Sequence, residues 1–145
     1  MSLKTLLLVD DEQTDREKIR RILHSEDYTV LVAGTYHDAM RVFERNRNAV
    51  DLLISDIALS GGNGCDLALA MKKRKPDLRA LFISGNVGAE VCRYYGLEVT
   101  EEHFLHKPFA PADLLTRVSH ILNSAARFPN LCEPPTPKTR IARYR

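Results

Sequence analysis

The strongest constraint on what this chain can fold into is a rhythm: five short apolar runs, each followed by a stretch with helical periodicity. The runs are Lys4 to Val9, Thr29 to Ala33, Leu52 to Ser55, Arg79 to Ile83 and Phe104 to His106. The third and fourth are almost unbroken apolar, as strands covered on both faces should be. Between them lie stripes that each line one helical face: Ile19, Ile22 and Leu23; Ala39, Val42 and Phe43; Gly64, Leu67, Ala68 and Met71; and Leu114, Leu115, Val118, Ile121 and Leu122. Alternation of this kind is the sequence form of repeated β-α units around a parallel sheet. With 145 residues, one such domain fits and two do not.

Punctuation supports the division. Thr35 followed by Asp38 has the form of a capping box, and Pro111 suits the first position of a helix. Pro76 should stop the third helix near Lys75. Gly88 to Tyr95, bracketed by glycines, is the weakest helix. The folded domain is expected over residues 1–123. Residues 124–145, with prolines at 129, 134, 135 and 137, should form an extended tail or linker. That tail carries Arg127, Lys138, Arg140, Arg143 and Arg145 against Glu133, so the formal charge of +2 resolves into a basic tail and a slightly acidic body. An acidic body gives no footprint for nucleic acid, and the tail is too short for a DNA-binding output domain, so no direct DNA binding is expected. No apolar run is long enough to span a bilayer and no secretory signal is evident. Cys65, Cys92 and Cys132, odd in number and far apart, argue against a disulfide framework. Together these features point to the cytoplasm.

Ligands of an open parallel sheet bind beyond the carboxyl ends of its strands. Here the first strand ends in Asp10-Asp11-Glu12, the third in Asp56, the fourth in Ser84-Gly85 and the fifth in Lys107-Pro108. Carboxylates gathered on one rim repel each other and call for a cation, and hard oxygen donors favour Mg2+ or Mn2+ over zinc. Such a set suits phosphoryl transfer, with a carboxylate as nucleophile and the metal, Lys107 and Ser84 neutralising the phosphoryl oxygens. Asp56 is the best nucleophile candidate, because it stands on a different strand from the metal-holding pair Asp10 and Asp11. Lys107-Pro108 has the look of a cis bond that aims the ammonium inward.

The segments Leu7-Leu8-Val9-Asp10-Asp11, Leu53-Ile54-Ser55-Asp56-Ile57, Gly64, Phe82-Ile83-Ser84-Gly85 and Phe104-Leu105-His106-Lys107-Pro108-Phe109 resemble a response-regulator receiver domain of two-component phosphorelay signalling. The likeness runs from about Lys4 to Asn123. It implies an α/β, flavodoxin-like, doubly wound sheet of five parallel strands, order 2-1-3-4-5, with five flanking helices. It further implies Asp56 as phosphoacceptor, Asp10, Asp11 and the backbone carbonyl of Ala58 as magnesium ligands beside Asp56, Ser84 and Phe104 as switch residues and Lys107 as the phosphate-binding lysine. The implied partners are a histidine kinase or histidine phosphotransfer protein, then a downstream protein or a second copy at the face of the fourth helix, fifth strand and fifth helix. On this reading the chain is a signalling domain and not an enzyme that turns over substrate. The run Pro76-Asp77-Leu78-Arg79 with Phe82-Ile83-Ser84-Gly85 and Phe104-Leu105 most resembles receivers joined to hybrid sensor histidine kinases. Two departures stand out: Ser60-Gly61-Gly62 replaces a frequent proline and should loosen that loop, and Phe104 replaces a frequent tyrosine.

Two other readings are weighed against this one. A haloacid-dehalogenase-type phosphatase also uses a strand-end aspartate, a hydroxyl and a lysine, but needs an Asp-x-Asp pattern on its first strand and leaves Asp56 without a role. A pseudo-receiver acting only as a binding module would have lost one of the five residues. Elsewhere plainer readings prevail. His103 and His106 are expected as surface residues, Cys65 and Cys92 as packing residues, and Lys72-Lys73-Arg74-Lys75 as a solvated helix end. Tyr94 and Tyr95 are divided between core and surface.

Overall fold

The computed structural model describes residues 3–85, 89–94, 96 and 100–124. The tail from 125 on, with Cys132, and also Gly88 and Tyr95, lie outside the described residues. Strands β1 (Thr5–Val9), β2 (Thr29–Ala33) and β3 (Val50–Asp56) are joined by helices α1 (Gln13–His24) and α2 (Tyr36–Arg45). A two-residue pair, β4 (Ala58–Leu59) and β5 (Gly62–Asn63), precedes α3 (Gly64–Arg74). Then come β6 (Arg79–Ser84), α4 (Ala89–Tyr94), a 3-10 turn (Glu101–His103), β7 (Phe104–His106) and α5 (Pro111–Asn123). The main sheet runs β2-β1-β3-β6-β7, wholly parallel. With the β4-β5 pair set aside this is the expected 2-1-3-4-5 order. The third strand is longer than its apolar run at both ends.

Alternation along the strands sorts the core into two layers. Leu7, Val9, Leu53 and Phe82 face Phe43 of α2, Leu67 and Met71 of α3 and Cys92 of α4. Leu6, Leu8, Ile54, Leu81 and Ile83 face Ile19 and Leu23 of α1 and Leu114, Val118 and Ile121 of α5. Both layers are closed off from water at every one of these side chains. The helix starts follow their caps: Thr35 Oγ1 accepts from Asp38 N at 3.0 Å, Asn63 Oδ1 accepts from Asp66 N at 2.9 Å, and Pro111 opens α5.

Several expectations need correction. Cys65 and Cys92 form a disulfide across a sequence separation of 27, their Cα atoms 5.3 Å apart, because α3 and α4 cover the same face of the sheet. They are thus more than packing residues, and the cysteine count lends no support to a reducing compartment. The basic run is only partly solvated. Lys72 is buried and its Nζ donates to the Leu78 carbonyl at 2.7 Å, Lys75 reaches the Val50 carbonyl, and Arg74 pairs with Glu44. At the Ser60-Gly61 turn Gly61 takes φ 87°, Ser60 O accepts from Tyr36 N at 3.1 Å, and the Tyr36 ring lies over Gly62.

His103 is buried rather than on the surface, and its Nδ1 lies 2.9 Å from Thr100 Oγ1. Burial pushes its pKa down to about 4, against the ordinary 6.5, with Arg117, Arg79 and His120 acting in the same direction and Glu102 opposing. The unfolded chain therefore binds the extra proton between these two pH values and the folded chain does not. This histidine's contribution to stability is complete above pH 6.5 and is lost as pH falls towards 4. His103→Gln should flatten the pH dependence of the melting temperature in that window, removing a stability change on the order of 3 kcal/mol across it. An unchanged profile would show that His103 is not buried as a neutral ring.

Candidate functional site

The carboxyl ends of β1, β3, β6 and β7 bring the rim residues together. Asp10 follows β1, where its Oδ1 accepts from Glu12 N at 2.9 Å and its side chain is almost wholly buried. Burial raises the Asp10 pKa, and the Glu12 N–H and the Lys107 charge work against that rise. Asp11 is exposed and accepts from Ser60 Oγ at 3.3 Å. Asp56 closes β3 half-buried, and ligand oxygens of Asp10, Asp11 and Asp56 lie within 4.8 Å of one another. Gly64 sits directly behind Asp56. A Cβ there would press into the Asp56 carbonyl oxygen and come within 2.8 Å of Ser55 Oγ, while Gly64 N donates to Ile57 O at 2.8 Å.

Lys107 follows β7, its bond to Pro108 is cis, and its N–H donates to Ser84 O at 2.9 Å. Its Nζ stands 3.4 Å from Asp10 Oδ2, 3.4 Å from Asp56 Oδ2 and 3.1 Å from Asp15 Oδ2. Burial lowers the Lys107 pKa, but the hydrogen bond to Asp15 and the charges of Asp10, Asp56 and Asp15 outweigh it and raise the group above its ordinary value. The ammonium is therefore a fixed positive charge. Ser84 is buried at the end of β6, paired in register with His106.

Phe104, implied by the resemblance as a switch residue, has its ring buried in the core, 4.9 Å from the His106 ring. His106 is exposed, and neither histidine joins a metal-binding group among the described residues. Ala58 opens β4 two residues beyond Asp56. Asp15 was not singled out from sequence, because an acid in the first turn of a helix is ordinary there. Beside the carboxylates, a groove of about 810 Å3 runs between α1 and the β7-α5 loop, with Ile19, Ile22, Pro108 and Phe109 as its apolar walls.

A family model described as the response regulator receiver domain matches residues 6–119. The chain belongs to this family. Among curated relatives, the receiver is 32% identical over 118 residues to "Sensor kinase CckA" of Brucella abortus (strain 2308), covering 81% of this chain and 12% of that protein. It is 29% identical over 145 residues to "Transcriptional regulatory protein CreB" of Escherichia coli (strain K12), covering 99% of this chain and 60% of that one. The chain thus spans less than two thirds of the length of these relatives. Among solved structures, the non-phosphorylated HemR receiver domain from Leptospira biflexa is 31% identical, with a TM-score of 0.73 over 85% of this chain and 97% of that one. A receiver domain protein from Clostridium thermocellum is 26% identical with a TM-score of 0.73, over 83% of this chain and 95% of that one. The receiver fold and a place in two-component signalling are thereby established, and no described helix is long and apolar enough to cross a membrane.

Proposed function

We propose that this receiver accepts a phosphoryl group on Asp56 from a phosphohistidine of a histidine kinase or phosphotransfer protein, in a reaction that requires Mg2+ or Mn2+. The observation that carries this is the convergence of Asp10, Asp11 and Asp56 within 4.8 Å with one ammonium, Lys107, among them. Three carboxylates of all-oxygen chemistry fit a hard divalent ion, with Asp10, Asp11 and Asp56 holding it and the Ala58 carbonyl as a fourth donor. Such an ion, when bound, neutralises phosphoryl oxygens.

The chain's own residues supply the rest. An Asp56 carboxylate oxygen attacks phosphorus, the new P–O bond forms as the P–N bond to the donor imidazole breaks, and the imidazole nitrogen takes up a proton. Lys107 pairs with a phosphoryl oxygen, and Ser84 donates its hydroxyl to another. The groove beside α1 offers an apolar surface for the helix that bears the donor histidine. On the far side, α4, β7 and α5 form the face through which a downstream protein or a second copy reads the state. Tyr94, 83% exposed on α4, suits that face. Phe104, buried in the core, responds to Ser84 from within it.

The expected result of incubation with a phosphodonor and Mg2+ is base-labile labelling in the parent and none in Asp56→Asn. Equal labelling of both proteins would remove Asp56 from the role. Absence of labelling in the parent would favour a pure binding module, and steady release of phosphate from esters a phosphatase.

A further inference from the structure

The Lys107 ammonium has three N–H donors and meets three carboxylates, at 3.4 Å, 3.4 Å and 3.1 Å. The shortest contact goes to Asp15, which is neither at a strand end nor in the carboxylate trio, but in the first turn of α1, 92 residues away in sequence. All three donors are therefore engaged before any phosphoryl group arrives. A phosphoryl group on Asp56 needs at least one of them, so one carboxylate must let go. Asp10, with its side chain 2% exposed, cannot be left without a partner at small cost, and Asp56 itself carries the incoming group. The Asp15 side chain is 37% exposed and can turn to water.

We infer that Asp15 is a positioning residue: it holds Lys107 towards α1 in the resting receiver and competes with the phosphoryl group for the ammonium. The inference rests on the assignment of Asp56 as acceptor, and it adds a determinant that the carboxylate trio lacks. A plain reading of Asp15 as a helix-start acid accounts for its place in the first turn, but not for a contact to a lysine on the opposite side of the groove. Because Asp15 also lines that groove, its charge opposes small anionic phosphodonors that approach from solvent. Neutralising it frees Lys107 and lowers the local negative charge together.

The test uses beryllofluoride as the phosphoryl mimic and acetyl phosphate as the anionic donor, both with Mg2+, on the full chain. Asp15→Asn should bind beryllofluoride about threefold to tenfold more tightly and react faster with acetyl phosphate by a similar factor. The gap to the parent should narrow in high salt. Asp15→Glu, which keeps the carboxylate, should behave like the parent. In a Lys107→Ala background the Asp15→Asn effect on beryllofluoride should shrink to less than about twofold, the part due to the lost charge alone, since the competition runs through the ammonium. Persistence of the full effect without Lys107 would overturn the inference, as would equal affinity in parent and Asp15→Asn. A parent that takes neither probe would instead overturn the assignment of Asp56, and the inference with it.

Discussion

Lys107→Ala should slow phosphoryl transfer to Asp56 by about 100-fold, the scale on which loss of one fixed donor to a developing oxyanion is felt. The same substitution should make the resting protein less stable without divalent metal, by about 1–3 kcal/mol, because Asp10 and Asp56 would face each other with no cation between them and Asp10 has almost no access to water. Adding Mg2+ should restore most of that loss. Metal affinity should hold or rise, since the ammonium that competes with the metal for these carboxylates is gone. The switch should also fail: beryllofluoride should shift amide signals of residues 84–85 and 100–109 in the parent and leave them near their resting positions in the variant. Melting curves with and without chelator, and amide-resolved NMR, read these effects separately. If stability fell equally with and without Mg2+, Lys107 would be a packing residue and not the counter-charge of the site.

Gly64→Ala should be more damaging than an ordinary change at the start of a helix. Alanine normally favours a helix over glycine by up to about 1 kcal/mol. Here the added methyl group has nowhere to go, because the Asp56 carbonyl and Ser55 Oγ stand in its place and Gly64 N is tied to Ile57 O. Ser55 Oγ can turn aside, but the closest neighbour is main chain, so the strain passes to the backbone that carries Asp56, the proposed nucleophile. A loss of about 1–3 kcal/mol is expected, with phosphorylation of Asp56 impaired further than stability accounts for. Chemical denaturation gives the first quantity and labelling at a temperature where the variant is folded gives the second. A variant as stable and as reactive as the parent would mean that α3 can shift away from β3 without disturbing the site.

The five strands of the sheet could be read from sequence because each is a short apolar run, and the rim because four of them stop at a polar residue, Asp10, Asp56, Ser84 or Lys107, while the second ends at Ala33-Gly34. What escaped the reading lacks that signature. The β4-β5 pair has two residues on each side, too few to show a period of two. Asp15 looks like any acid at a helix start, and only the path of the β7-α5 loop brings Lys107 to it. Lys72 and Lys75 sit in a run of four cations, where charge hides the fact that Leu78 and Val50 offer them backbone carbonyls. Cys65 and Cys92 are joined by the stacking of α3 and α4 on one face of the sheet, a property of the assembled layers. His103 is buried by the 3-10 turn before β7, which carries no periodic pattern.

The central claim, that Asp56 is the phosphoacceptor, can be tested at the level of the bond. An acyl phosphate is reduced by borohydride to an alcohol, whereas a free carboxylate is not, so treatment after exposure to a phosphodonor and Mg2+ converts the acceptor aspartate to homoserine. Peptide mass spectrometry should locate homoserine at position 56, and chelation beforehand should prevent it. Homoserine at Asp10 or Asp11 with Asp56 intact, or the same yield at position 56 with all divalent metal removed, would contradict the account.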